Sequence, residues 1–327
     1  MAVAPGVTFS VAIPTYNRAH VLGETLESVF GQEHPPVQVV VVDDGSADAT
    51  QRVLTEFAGR VVWRRIANAG PSAARKAAIA LCTSPWIALC DSDDLWRPDH
   101  LERRARLIAT FPEADFTFSN FTEFGEEARR GYDKFKSMPS GWWDRFPQAT
   151  PEGFRMLGSG LFAKFLEANA ALVSTIAIKR SLYDRVGGIR EKFSRVLGED
   201  ADLTRRCVAE GCVACDTAIT VELRKHSASF SGHPVRNLLG RIEILEESLR
   251  DGSVPEAYRS EVIEAIGVTR QQALRAAFYR RDFEAFRCLS GQVSFSDLPF
   301  DLKLRGLFAC LPKPLRDSLI RLFEQRS

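Results

Sequence analysis

Three carboxylates in four residues, Asp91-Ser92-Asp93-Asp94, follow directly on Trp86–Cys90, an apolar run that reads as a buried strand. In an open α/β sheet, ligands sit in the crevice beyond the carboxyl ends of the strands. Carboxylates crowded there repel one another and need a counter-charge. A hard divalent cation, Mg2+ or Mn2+, supplies it, and is usually shared between one or two carboxylates and substrate phosphates. By itself the cluster is equally compatible with an acidic surface loop capping the helix after Pro98. A second acidic turn, Val42-Asp43-Asp44-Gly45-Ser46, closes the apolar run Val37–Val42. A strand-end carboxylate there can accept an N–H from a base or an O–H from a ribose, although Asp-Gly-Ser is also ordinary turn chemistry. Two such turns, each ending a buried strand, are far less expected by chance than either one.

The elements that must position these turns alternate. Val7–Ile13 reads as a strand, and Val21, Leu22, Leu26, Val29 and Phe30 share one helical face. Val37–Val42, β-branched except at Gln38, has the character of a parallel strand covered on both sides. A helix is expected near Thr50–Phe57, a strand near Val61–Arg65, and a helix from Pro71 to about Cys82, with Pro71 in its first turn. Trp86–Cys90 is a further strand and Pro98–Thr110 a further helix. This alternation predicts an α/β fold with a mostly parallel, doubly wound sheet. Residues 124–154 read as irregular. Val173–Ile178 resumes a strand, Glu199–Glu210 is helical and Cys212–Leu223 is extended. After Pro234 the pattern turns helical, over Arg241–Leu249, Tyr258–Tyr279 and Phe283–Leu289. The spacing predicts a first domain over residues 1–233 and a helical C-terminal region over 234–327.

Composition narrows the function classes. The 327 residues suffice for one large or two ordinary domains, and 45% hydrophobic with 26% charged residues is a folded globular balance. Lys+Arg is 43 against Asp+Glu 42, so no net field recruits nucleic acid or a membrane wholesale. The start, MAVAPGVTFS, lacks the pattern of a signal peptide. Neither Val37–Val42 nor Leu161–Ile178 reads as a membrane span, the first being too short and the second carrying Lys164 and Glu167. Seven scattered cysteines suggest a reduced, cytoplasmic protein. Cys207, Cys212 and Cys215 match an iron–sulfur spacing, but they span a helix and a strand and are expected as small core residues. Gly158-Ser159-Gly160 with Ala163 matches a dinucleotide fingerprint, but no strand is expected before it. Trp142 and Trp143 fit either a sugar platform or a core.

Four motifs in order carry a resemblance. Val11-Ala12-Ile13-Pro14-Thr15-Tyr16-Asn17-Arg18, Val42-Asp43-Asp44-Gly45-Ser46, Asn68-Ala69-Gly70-Pro71-Ser72-Ala73-Ala74-Arg75 and Asp91-Ser92-Asp93-Asp94 resemble family-two glycosyltransferases in sequence and spacing. Val186-Gly187-Gly188-Ile189 and Gly198-Glu199-Asp200 resemble that family's acceptor-side motifs, so the likeness spans about residues 7–230. It departs at Lys76 and Ala78, where many members have Asn and Gly.

The resemblance implies a GT-A fold, a nucleotide-diphosphate sugar donor and inversion at the anomeric carbon. Pro14, Thr15, Tyr16 and Asn17 would lie at the base and ribose. Asp44 would accept the uracil N–H with Asp43 beside it, which favours a UDP-sugar and leaves dTDP open. Arg75 would help hold the nucleotide or diphosphate. Asp91 would contact ribose or metal, Asp93 would be the main metal ligand, and His226 would join them by its place after the last strand. An inverting transfer needs a base on the acceptor side, opposite the leaving phosphate, as in inverting glycosidases. Asp200, with Glu199 in support, meets that need at a helix start, where the helix dipole favours a carboxylate.

Two rivals remain at this point, a nucleotidyltransferase and a non-catalytic nucleotide-sugar-binding scaffold. The absence of a glycine-rich basic phosphate loop argues against the first, and the full set of carboxylates against the second. The resemblance also suggests polysaccharide or lipopolysaccharide assembly, with a glycan or lipid-linked acceptor. Residues 311–327 place Leu315, Leu319, Ile320, Leu322 and Phe323 beside Arg316 and Arg321, a pattern that fits either ordinary core packing on the helical region, which the short length and Asp317 and Glu324 favour slightly, or weak peripheral contact with an anionic membrane face.

Overall fold

The structure is a computed structural model and describes residues 6–196, 198–226, 234–293, 296, 298–316 and 318. It divides into two compact units, Met1–Ser229 and Phe230–Ser327.

The first unit runs β1 (Phe9–Thr15), α1 (Leu22–Phe30), β2 (Gln38–Asp43), α2 (Thr50–Glu56), β3 (Val62–Arg65), α3 (Pro71–Leu81), β4 (Trp86–Leu89), β5 (Leu95–Trp96), α4 (His100–Thr110), β6 (Phe116–Phe124), β7 (Phe154–Gly158), α5 (Phe162–Glu167), β8 (Ile176–Lys179), α6 (Arg180–Arg185), α7 (Glu199–Glu210) and β9 (Val213–Arg224). The strands form one sheet in the order β3-β2-β1-β4-β8-β6-β9-β5, with β7 also on β9. β1, β2, β3 and β4 pair in parallel, as do β6 and β9, while β8 is antiparallel to both its neighbours.

The β-branched runs behave as expected of strands covered on both faces. Val40 and Val42 enter one core with Ala12, Ile87 and Leu89. Val39 and Val41 enter the other, with Val11, Ile13 and Ala88. At about 25 cal/mol per Å2 of apolar surface removed from water, these alternating rows hold the sheet between its helices.

Three strands go beyond the sequence expectation, β5, β6 and β7. β6 escapes a hydrophobicity reading because Thr117, Ser119 and Asn120 are buried within it. Their polar groups are satisfied internally: Thr117 Oγ1 donates to the Ala177 carbonyl, and Asn120 Oδ1 accepts from the Phe121 and Phe135 N–H groups. β7 supplies a strand before Gly158-Ser159-Gly160, contrary to the expectation of none. It is antiparallel to β9, so the βαβ unit of a dinucleotide site is still missing. Trp142 is buried against Trp143, Phe146 and Phe165, which makes it core. Cys207 and Cys215 are buried, and burial pushes the Cys207 thiol up to about 12.

The second unit contains α8 (Pro234–Arg250), α9 (Arg259–Tyr279), α10 (Phe283–Ser290) and α11 (Phe300–Ala309). α9 packs against the other three, and Phe278 meets Phe283, Phe286 and Phe308 edge-on. Among the described residues no helix is long and apolar enough to cross a membrane. Most of the 311–327 segment, including Leu319, Ile320, Arg321, Leu322 and Phe323, lies outside the described residues.

Candidate active site

Because β1, β2 and β4 run in parallel, the loops that leave their carboxyl ends share one rim of the sheet. Thr15 and Asp43 are register partners at that rim. Both are buried, and each holds an oxygen with no hydrogen-bond partner, Thr15 Oγ1 and Asp43 Oδ2. The other Asp43 oxygen accepts the Ser46 N–H, and Arg65 Nε lies 3.8 Å from Oδ2. Buried polar atoms are nearly always paired, so two adjacent orphans mark a place where a ligand can complete the bonding. Tyr16, 45% exposed, stands next to them.

The neighbouring expected residues do other work. Asn17, at φ +51°, accepts the Ala47 N–H through Oδ1 and donates its backbone N–H to Ser46 Oγ. It ties the loop after β1 to the turn after β2. Asp44 spends its two carboxylate oxygens on the Ala69 and Gly70 N–H groups, each at 2.8 Å. That holds the start of α3, where Gly70 sits at φ +94° and a Cβ would fall 2.3 Å from the Ser194 carbonyl oxygen.

The acidic loop after β4 separates its three carboxylates by role. Asp91 Oδ1 accepts from Arg75 at 2.9 Å. Burial pushes the Asp91 carboxyl above its ordinary range, Arg75 opposes this, and Asp93 adds to it. Asp94 is more deeply buried, and burial, Asp93 and Asp91 push its carboxyl well up. It accepts from Ser174 Oγ and from the Arg224 N–H. Asp93, like Asp91, is partly open to solvent, and Arg18 Nε lies 3.2 Å and His226 Nε2 3.5 Å from the same Asp93 oxygen.

No group of three or more His, Cys, Asp or Glu among the described residues is arranged to hold a metal ion. Of the expected trio, Asp93 lies against His226, and Asp91 accepts from Arg75. Asp93 and His226 remain as a carboxylate and an imidazole facing one another. That donor pair fits a Mg2+ or Mn2+ ion that takes its other ligands from a diphosphate and water.

On the other side of Arg75 stands α7. Gly198, in the left-handed region at φ +93°, turns the chain into its first turn, which carries Glu199 and Asp200. Arg75 Nη1 donates to Glu199 Oε1 at 3.0 Å. Burial raises the Glu199 carboxyl, with Arg75 opposing and Asp200 adding. A cleft between α3, the sheet and α7 is lined by Ser72, Arg75, Val173, Ile176, Glu199 and Asp200. Arg75 is thus buried between two carboxylates. Arg18, Ser174 and Arg224, which the sequence reading leaves without a role, complete the acidic loop's surroundings. Only Arg18 carried a sequence signal, as the last residue of the first motif.

The glycosyl transferase family 2 model matches residues 10–169. Over 321 residues the chain is 30% identical to the succinoglycan biosynthesis protein ExoO of Rhizobium meliloti (strain 1021), covering 96% of this chain and 82% of that relative. The fold is similar to S. aureus TarS 1–349 in complex with UDP-GlcNAc, with TM-score 0.56, 18% identity, and 88% and 84% of the two chains covered. It is similar also to the mannosyltransferase PcManGT from Pyrobaculum calidifontis in complex with GDP-Man and Mn2+, with TM-score 0.56, 19% identity, and 97% and 85% covered. The α/β sheet with its strand-end acidic loops is the GT-A architecture of glycosyltransferases. This chain belongs to glycosyl transferase family 2.

Proposed function

We propose that the protein is an inverting, divalent-metal-assisted glycosyltransferase. It moves one sugar from a nucleotide-diphosphate sugar, first of all a UDP-sugar, to a hydroxyl of a glycan or lipid-linked acceptor in cell-surface polysaccharide or lipopolysaccharide synthesis. The observation that carries this reading is the Arg75 bridge, which sets the α7 carboxylates beside the acidic loop of the nucleotide half. The name of the relative ExoO supports a polysaccharide product, and the UDP-GlcNAc and GDP-Man complexes of the two structural neighbours support a nucleotide-sugar donor.

In this reading the base lies over Tyr16. The orphaned oxygens of Asp43 and Thr15 accept from the base and ribose after Arg65 moves aside, a duty that falls to Asp43 because Asp44 is engaged by the backbone. Asp93 and His226 would hold a divalent cation, which would supply Lewis-acid neutralisation of the departing diphosphate. Arg18, already against Asp93, adds a fixed positive charge beside that diphosphate. Glu199 is committed to Arg75, so Asp200 is the base. It takes the proton of the acceptor hydroxyl while that oxygen attacks the anomeric carbon. The bond from that carbon to the diphosphate oxygen breaks, and the nucleoside diphosphate leaves with the electron pair. The 1–233 segment carries this chemistry, and the reading keeps the enzyme at the cytoplasmic face of the membrane, with residues 311–327 in weak peripheral contact.

A thermal-shift screen of UDP-, dTDP- and GDP-sugars with Mn2+ tests the donor class, since a ligand of the native state raises the melting temperature. Calorimetry then compares the parent with Asp93→Ala. The expected result is Mn2+-dependent UDP binding in the parent and none in the variant. Equal Mn2+ dependence in both overturns the metal assignment.

A further inference from the structure

Ser174 is 83 residues from Asp91 in sequence and belongs to none of the motifs. It lies on the 3-10 turn Val173–Thr175, just before β8, and is buried. Its hydroxyl nevertheless touches both ends of the acidic loop. Oγ accepts the Asp91 N–H at 2.9 Å and donates to Asp94 Oδ2 at 2.5 Å. The Asp94 N–H in turn bonds to the Asp91 carbonyl, which closes the loop on itself.

The chain of contacts continues outward. Asp94 Oδ1 accepts the Arg224 N–H at 3.0 Å, and Arg224 Nε donates to the Asp93 carbonyl at 2.9 Å. The backbone on both sides of Asp93 is therefore pinned through Asp94, and its carboxylate is left toward Arg18 and His226. The 3-10 turn is itself held rigidly. Trp96 Nε1 donates to the Ser174 carbonyl and Arg104 Nη2 to the Thr175 carbonyl, each at 2.8 Å. The residues flanking Ser174 also face the other half of the site: Val173 and Ile176 line the cleft that holds Asp200.

We propose that Ser174 is a positioning residue for the transfer: its hydroxyl clamps Asp91 to Asp94, fixes the direction of the Asp93 carboxylate, and keeps the acidic loop in register with the wall of the acceptor cleft. Ser174 touches no ligand itself, being buried behind the loop. Outer partners of metal-binding groups typically cost 10–100-fold in metal affinity when removed. The inference rests on the metal reading of Asp93, so its test must separate the two.

The test is calorimetry of UDP on the full chain, with and without Mn2+. In the parent, Mn2+ raises UDP affinity. In Ser174→Ala that Mn2+-dependent gain falls by about tenfold or more, while metal-free UDP affinity stays within about twofold, below the energy of one ordinary hydrogen bond. Ser174→Thr, which keeps the hydroxyl, restores the gain. An unchanged gain in Ser174→Ala overturns the proposal, and so does an equal fall in metal-free and metal-dependent affinity, which marks general loss of packing. Should Ser174→Ala not fold, Asp94→Asn is read in its place, with the same split expected and the same outcomes decisive. Absence of any Mn2+ effect in the parent overturns the metal reading itself, and the role of Ser174 with it.

Discussion

Arg75 on α3 donates to Glu199 on α7 at 3.0 Å, across 124 residues of sequence, and the same guanidinium reaches Asp91. Burial alone would weaken the Arg75 proton, but Asp91 and then Glu199 outweigh it and hold the group above its ordinary range. One buried cation thus balances a carboxylate from each half of the site. Its planar fork lets two nitrogens serve two partners at once, which a single ammonium does less well.

Arg75→Met removes that cation and leaves the partly exposed Asp91 and the mostly buried Glu199 without it. The expected cost is about 3 kcal/mol of stability, the low end for a buried pair, because Asp91 is partly open to solvent, with loss of transfer. Arg75→Lys is expected to recover only part of it. Urea unfolding of the three proteins checks this, and a parent-like midpoint for Arg75→Met would remove the bridge from the account.

Asp200 and Glu199 stand side by side at the start of α7, yet opposite outcomes are expected from neutralising them. Asp200→Asn should keep the donor KM and lower kcat by about a hundredfold or more, the scale of a lost general base. Glu199→Gln should act mainly through the Arg75 bridge, lowering the melting temperature. Steady-state kinetics and thermal melts of both variants separate them. A fully active Asp200→Asn would move the base to Glu199.

Asp43 and Asp44 are adjacent in sequence and meet different hydrogen-bond partners. Asp43→Asn should weaken UDP binding by about tenfold, a charged hydrogen bond's worth, at nearly unchanged melting temperature. Asp44→Ala strips two N–H groups of their acceptor and should destabilise the fold by about 2–4 kcal/mol. Calorimetry and denaturation together read the split. Loss of UDP affinity in Asp44→Ala without any loss of stability would reverse the assignment.

Asp202, buried on α7, ion-pairs with both Arg190 and Arg206. Burial raises its carboxyl, but Arg206 and Arg190 prevail and hold it below the ordinary range. A depressed folded pKa contributes stability above the unfolded value, about 3.9, and that stability is lost as pH falls through the folded value. Asp202→Asn should therefore cost about 3 kcal/mol at neutral pH, with the gap to the parent narrowing below about pH 4. Urea midpoints at the two pH values check the sign. A constant gap at both would remove the ion pair as its cause.

The sequence by itself determined the local vocabulary of this protein. The β-branched run up to Val42 and the apolar run up to Cys90 could only be buried strands, because their side chains have no polar face to give to water. The acidic turns after them, and the start of α7 at Glu199, follow from that, and family membership could be read from the motifs in order. Which partners each carboxylate meets was decided only by the tertiary structure. Asp43 and Asp44 are equivalent as letters, and they differ because the backbone of Ala69 and Gly70 arrives at Asp44. That Arg75 meets Glu199 is visible only once α7 is packed against α3. β6 was hidden by buried Thr117, Ser119 and Asn120, and Ser174 by its distance in sequence from the loop it holds. A hydrogen bond depends on where a partner lies in space, and across a hundred residues that position is fixed by the packing of the whole sheet, not by local propensity.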